Sequence, residues 1–278
     1  MAETTEDPAD LVDPSPSIPA PAPAPSSTKR KNAFEELMTP KPKLSNSARK
    51  SLAKEKRGRW SGALVEYINH PDRFPGQVLC VTPHTVLIKD SYPKATVHLL
   101  LLPRSEKHYL LRPHEAFADA EFLKIIREEA ASAAKLAASE LERLISPFSA
   151  KSKERNEAMD NGVPFDELPA GRDFLKEIKV GLHAHPSMDH LHVHILSRDM
   201  HSEKVKHKKH YNSFNTEFFV PLEDYPLGDE DRRRETQFQN ENLGRDFRCW
   251  RCGREFPVGK FADLKRHLEE EFEEWKLE

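Results

Sequence analysis

The stretch Gly181-Leu-His-Ala-His-Pro-Ser-Met-Asp-His-Leu-His-Val-His-Ile-Leu-Ser197 decides how the rest of the chain is read. In its second half His190, His192 and His194 alternate with Leu191, Val193 and Ile195. Alternation of period two, ending in β-branched residues, is the pattern of a strand with one aliphatic face and one imidazole face. The aliphatic face gains from burial; the imidazole face has to be used for something. Upstream, Ile178 to His183 also reads as a strand, and Pro186-Ser187-Met188 reads as a turn. A hairpin centred between Ser187 and Met188 sets His183 opposite His192, so His183, His190, His192 and His194 converge on one patch.

Such a patch has three readings. A zinc ion needs nitrogen ligands at about 2.0–2.1 Å, whereas alternate strand residues are about 6.6 Å apart. A pair such as His192/His194 can share an ion, but all three cannot easily do so. Nucleophilic catalysis is the second reading, because a neutral imidazole attacks phosphorus well while its other nitrogen is held as a donor. A solvated sheet face is the third.

His190-Leu-His192-Val-His194-Ile-Leu196 resembles the motif of the histidine-triad (HIT) family, His-x-His-x-His followed by two apolar residues. With His183-Ala-His-Pro-Ser-Met188 ahead of it, the string resembles the aprataxin branch of that family, which acts on adenylated DNA ends. The resemblance implies an α+β fold: a HIT-like antiparallel sheet with helices, then a small ββα-like zinc finger, after a disordered N-terminal leader. On that reading residues 1–55 are the basic, proline-rich leader, 56–220 the HIT catalytic domain, 221–246 a connector and 247–278 the finger.

Composition limits what else the chain can be. Its 278 residues hold a mid-sized domain plus a small one, and a net charge of −3 announces no bulk attraction to nucleic acid. Cys80, Cys249 and Cys252 are too few for a disulfide framework, which suggests a reducing compartment. The longest largely apolar run, Val97 to Leu102, is too short to span a bilayer, so no membrane partner is expected and the protein reads as soluble and intracellular. Basic clusters at Lys29-Arg-Lys31, Lys41-Pro-Lys43 and Arg49-Lys50 read as a nuclear import signal or a DNA-binding arm, and the expected location is the nucleus.

Further along, Trp60 to Asn69 has the apolar spacing of a short helix ended by His70-Pro71. Trp60 beside Arg59 reads first as an aromatic packed against the core and second as one that can stack on a DNA end; the resemblance favours the second, since in aprataxins the corresponding helix carries an aromatic wedge. Lys89-Asp90-Ser-Tyr-Pro-Lys94-Ala, followed by His98 and an apolar run, resembles the HIT nucleotide pocket. By resemblance Asp90 accepts the ribose hydroxyls, Lys94 and His98 lie near the phosphate, and His190 belongs to the same pocket. Ala116 to Leu144 reads as one long helix, and Pro147 to Gly171 as a charged insertion loop. The basic run Lys204 to Tyr211 offers Lys206 to the flanking phosphate, with Lys208 and Lys209 as further DNA contacts.

The tail carries the second motif. Cys249-Trp-Arg-Cys252 is followed by His267 and, four residues on, Glu271, which lies on the same helix face. Zinc accepts a carboxylate oxygen at about 2.0–2.2 Å, and the set resembles the Cys-Cys-His-Glu finger of fungal-type aprataxins. One structural zinc ion and no catalytic metal are expected. Lysines and an arginine lie near the start of the finger helix (Lys260, Lys265, Arg266), and glutamates crowd its end. Only the N-terminal end, with Lys265, is therefore expected to touch DNA, so losing the finger should weaken action on DNA and spare small substrates.

The resemblance implies hydrolysis of DNA 5′-adenylate: His192 attacks the AMP phosphorus, His183 gives what acid help is needed, and His194, Ser187 and Lys206 stabilise charge. AMP is the product and DNA the partner; the sequence names no protein partner. Two rivals stand beside it, a small-nucleotide HIT hydrolase and a nonenzymatic DNA-end-binding zinc-finger protein.

Overall fold

In the computed structural model, residues 62–278 are described. Arg59, Trp60 and the expected leader lie outside them. A short helix α1 (Val65–Asn69) stops at His70-Pro71 and sends Leu64 and Ile68 into a small apolar cluster with Val86, Ile88, Leu100 and Leu102. Strands β1 (Val78–Val81), β2 (Thr85–Lys89) and β3 (His98–Pro103) follow, with Pro83-His84 as the break between the first two. Helix α2 (Ala120–Ile145) covers one face of the sheet. It presents Ile126, Ala130, Ala133, Ala137 and Leu141 at helical spacing, and the alanines let its backbone approach the strands closely. The expected helix from Ala116 is interrupted, because the Asp119 side chain accepts the Phe122 amide and starts a new helix there. Residues 147–171 are not simply a loop. Ser149 caps helix α3 (Ala150–Asp160), whose lack of an apolar stripe left no periodic signal in the sequence.

Strands β4 (Ile178–His183), β5 (Val193–Ser197) and β6 (Phe219–Pro221) complete an antiparallel sheet of order β1-β2-β3-β5-β4-β6. The β4/β5 register runs from Ile178↔Ser197 to Gly181↔His194, about the centre expected from the alternation. The pairing is shorter than expected. The β4/β5 ladder ends at Gly181↔His194, so His183 has no ladder partner in β5; on its other edge β4 pairs with β6, where His183 meets Phe219. The Leu191 amide goes to the carbonyl of Tyr109, drawing residues 190–192 away from the strand.

Gly181 is where β6 comes closest. A Cβ there would lie 2.4 Å from the Val220 carbonyl oxygen and 2.7 Å from the Phe219 ring. Gly181→Ala is expected to destabilise the fold by about 1–3 kcal/mol, measured by denaturant unfolding; an unshifted midpoint would show that β6 yields freely.

The face of the sheet opposite α2 holds Leu196, packed with helix α4 (Lys208–Asn215) and the finger: β7 (Phe247–Arg248), β8 (Glu255–Phe256) and α6 (Phe261–Leu277). The expected connector is folded too. Residues 221–246 include helix α5 (Thr236–Gly244), which buries Phe238, Gln239 and Asn242. Sheet and finger lie in one compact unit. Trp275 is buried at 1% exposure under the Arg172 guanidinium, and Phe272 stacks on His201 with centroids 3.8 Å apart. The Tyr211 hydroxyl donates to the Arg248 carbonyl and accepts the Trp250 amide. The first strand of the finger thereby holds the helix that lines the histidine cavity. This corrects the expectation of a separable finger. Cys249→Ala with Cys252→Ala should now lower hydrolysis of diadenosine tetraphosphate as well as of adenylated duplex, and assays of both substrates on one preparation test it. Loss on the duplex alone would restore the separable picture.

Candidate active site

A cavity of about 590 Å³ opens over the ends of β3, β4 and β5. His98, His183, His192 and His194 line it together with Asp90, Lys94, Ser187, Lys204, Lys206 and Lys209. His192 and His194 share one direction, with ring centroids 4.8 Å apart, and His194 lies 4.5 Å from His183. His185 and His210 line it as well, whereas His190 does not. The His190 ring packs beside Tyr109, with centroids 5.3 Å apart. Its backbone matters instead, because the His190 carbonyl oxygen lies 2.7 Å from His192 Nδ1.

Hydrogen bonds fix the tautomers. A carbonyl can only accept, so His192 carries its proton on Nδ1 and presents the bare lone pair of Nε2. The Lys94 amide can only donate, and it lies 3.1 Å from His98 Nδ1, so the proton of His98 is on Nε2. That Nε2–H meets His194 Nδ1 at 3.0 Å, which leaves His194 with its proton on Nε2. This Nε2 is buried and has no partner among the described residues, as is true of His183 Nε2. Thus the cavity holds a nucleophilic lone pair from His192 beside an unspent donor from His194.

The relay is anchored by its own local structure. Buried Asp199 accepts the amide and hydroxyl of Thr96, the His201 amide and the Ser197 hydroxyl, tying the loop that carries Lys94 to the end of β5. Asp90 Oδ1 accepts the Tyr92 amide as a turn aspartate would, yet Asp90 also lines the cavity, with Oδ2 3.4 Å from His98 Nδ1. Asp90, His98 and His194 come close enough to suggest a metal set. Both nitrogens of His98 and Nδ1 of His194 are spent on the relay, so these residues do not fit an ion.

Burial lowers the pKa of each cavity histidine: His98 to about 4, His183 and His194 well below 6.5, and His192, His185 and His210 below 6.5. A base with a lowered pKa stays neutral to lower pH. The acid limb of kcat/KM should therefore fall below pH 6.5, and a pH–rate profile with its acid midpoint above 6.5 would contradict the assignment. Stability should follow the same sign: unfolded histidines bind protons near about 6.5, while folded His98 resists down to about 4, so stability is lost as pH falls through that window.

Phe214 was not singled out from sequence. It packs on His183 at 4.6 Å and edge-on to His194 at 5.0 Å and His98 at 5.5 Å, forming the back wall with Phe218. Its signal was its place in Asn212-Ser-Phe-Asn, immediately after the basic run. Lys208 is exposed and does not line the cavity, and Lys265 is exposed on the finger helix.

In the finger, the donor atoms of Cys249, Cys252, His267 and Glu271 lie within 4.8 Å of one another. Cys252 Sγ is 3.1 Å from His267 Nε2, which is 3.2 Å from Glu271 Oε1. A tetrahedral ion with bonds of about 2.0–2.3 Å separates its ligands by about 3.3–3.8 Å, so two thiols, an imidazole and a carboxylate so placed fit zinc. Arg251 holds the other Glu271 oxygen, Oε2, at 2.6 Å.

Residues 72–201 match the HIT domain family, and residues 215–274 match the C2HE / C2H2 / C2HC zinc-binding finger. The chain is 34% identical to an aprataxin-like protein of Saccharomyces cerevisiae over 77% of this chain and 96% of that protein. It is 30% identical to an aprataxin-like protein of Schizosaccharomyces pombe over 89% and 95%. The chain belongs to the aprataxin family. Among solved structures, the aprataxin ortholog Hnt3 in complex with DNA superposes with a TM-score of 0.58 at 29% identity, covering 78% of this chain and 96% of that one. Hnt3 in complex with DNA and guanosine gives 0.57 over 78% and 97%. The match to the zinc-binding finger family begins at residue 215, so it takes in part of the folded stretch that the sequence presented as a connector.

Proposed function

We propose that the chain is a DNA 5′-adenylate hydrolase that removes AMP from abortive ligation intermediates, a DNA-repair activity exercised in the nucleus. The observation that carries this reading is the oriented pair in the cavity, the His192 Nε2 lone pair beside the His194 Nε2–H, under four lysines and one carboxylate. His192 Nε2 attacks the AMP phosphorus. A P–N bond forms, the P–O bond to the DNA 5′-phosphate breaks, and that phosphate leaves with the electron pair. Water then attacks the phosphorus, and His192 is regenerated as AMP departs. A phosphate leaving group has a second pKa of about 6 and needs little protonation.

His183 is buried and neutral, so its help is a hydrogen bond rather than a proton transfer. His194, Ser187 and Lys206 face the developing charge, with Lys94 and His98 behind them. Asp90 accepts the ribose hydroxyls with the oxygen not used in its own turn. The His190 side chain is left without a nucleotide role, its carbonyl setting the His192 tautomer instead. Lys209 and Lys204 continue the basic rim toward the flanking DNA, Lys265 meets the backbone from the finger, and Arg59 and Trp60 act at the exposed base pair. One zinc ion held by Cys249, Cys252, His267 and Glu271 is structural, and the chemistry uses no metal. We divide the compact unit into a HIT catalytic part over 56–220 and a finger part beyond it, with 221–246 as a folded bridge.

Incubation with nicked duplex adenylated at its 5′ end, with no divalent ion added, should release AMP and leave a ligatable 5′-phosphate. Release from diadenosine tetraphosphate at an equal or higher kcat/KM would favour a small-nucleotide hydrolase instead. Binding of the duplex with no release from either substrate would leave a DNA-end-binding protein.

A further inference from the structure

A second cleft, of about 830 Å³, lies between the sheet and the finger. It is separate from the histidine cavity: the two share Phe214 as a wall. Lys179 stands on the same face of β4 as His183 but four residues earlier, about 13 Å along the strand. The lining carries six cationic side chains against two carboxylates, Asp224 and Glu217, the latter 3.8 Å from Arg245, and most of these charges are already paired. Arg233 is held by Asp224 and Asp231, Arg251 by Glu271, Glu274 and Glu278, and Lys176 by Asp173. Two are not. Lys179 and Arg248 have no carboxylate partner among the described residues. The Lys179 amine gives one hydrogen to the Phe214 carbonyl and lies over the Phe219 ring, which leaves two hydrogens unspent. Trp250 lines the same cleft, and its buried Nε1–H has no acceptor among the described residues. Arg198 covers that ring at 5.0 Å, and its nearest carboxylate, Glu177, is 3.8 Å away.

Donors without acceptors and cations without anions, gathered in one concave site, specify an anion that brings several acceptor oxygens. We propose that this cleft is a second phosphate site, taking a multiply charged phosphate ligand between Lys179 and Arg198 of the sheet and Arg248 and Trp250 of the finger. The site exists only with the finger docked, since each side supplies half of the donors. Burial beside Arg198 lowers the Lys179 pKa to about 8, the cost that a bound anion would relieve. This proposal is independent of the chemistry at His192.

The test is calorimetric titration of the full chain with tripolyphosphate at low salt, with saturating AMP occupying the histidine cavity. One equivalent should bind. Lys179→Met and Arg248→Gln should each weaken it about tenfold, the loss of one charge-assisted hydrogen bond, and Lys206→Ala should leave it unchanged. Arg248 is exposed, so its variant keeps the test alive if the variant of half-buried Lys179 does not fold; thermal melts check both. Absence of binding, or binding lost with Lys206→Ala but kept in Arg248→Gln, overturns the proposal. Nicked duplex distinguishes the source of the phosphates. Equal weakening of duplex and tripolyphosphate by Arg248→Gln supports the site with a nucleic-acid backbone as its occupant; weakening of tripolyphosphate alone supports it with a free polyphosphate.

Discussion

Replacing His192 with alanine is expected to abolish AMP release from adenylated DNA while leaving fold and DNA binding nearly intact. Among the described histidines at the facing ends of β4 and β5, His192 is the one whose Nδ1 donates to a carbonyl and whose Nε2 keeps its lone pair. His194 is turned the opposite way by the relay, proton toward the cavity, so it cannot take over as nucleophile without rebuilding two hydrogen bonds. The substitution removes one hydrogen bond to the His190 carbonyl, a cost of about 1 kcal/mol, small against the stability of a domain. Single-turnover AMP release alongside duplex binding separates the two effects. Turnover near that of the unsubstituted protein would remove His192 from the mechanism, and lost binding would show that it holds the site together.

The second large effect is expected for His194→Ala, a slowing of about 10²–10³-fold, the usual consequence of deleting one preorganised donor to developing charge. The effect should appear in kcat more than in KM, because the Nε2–H is aimed where negative charge grows. Lysines around the same cavity remain to bind ground-state phosphate, which is why the loss stays partial. A loss as complete as that of His192→Ala would mean that His194 takes part in bond making, and a loss confined to KM would mean that it merely binds substrate.

Much of this was legible in the chain. The His-x-His-x-His alternation gave the faces of β5 and the register with β4, because a slip of one residue would turn Val193 and Ile195 out of the core. It did not give where pairing stops. That depends on the Tyr109 carbonyl, which takes the Leu191 amide. His190 was misplaced for this reason: the Leu191–Tyr109 bond takes residues 190–192 off the strand period, and the His190 ring packs beside Tyr109.

His98 entered through the resemblance, but its function as the link between the Lys94 amide and His194 required coordinates. The finger shows the same division. Spacing marked Cys249, Cys252, His267 and Glu271, whereas docking depends on Phe272 and Trp275, apolar residues set among glutamates that read as a solvated helix end. Amphipathic periodicity says that a face is buried and not against what.

The most direct test of the account is mass spectrometry of the protein quenched during turnover of 5′-adenylated nicked duplex. The account predicts AMP attached to the peptide that carries His192, formed as fast as the 5′-phosphate end is released and absent from the His192→Ala variant. AMP attached to a lysine of the cavity rim, or turnover with no adduct at any time of quenching, would contradict it.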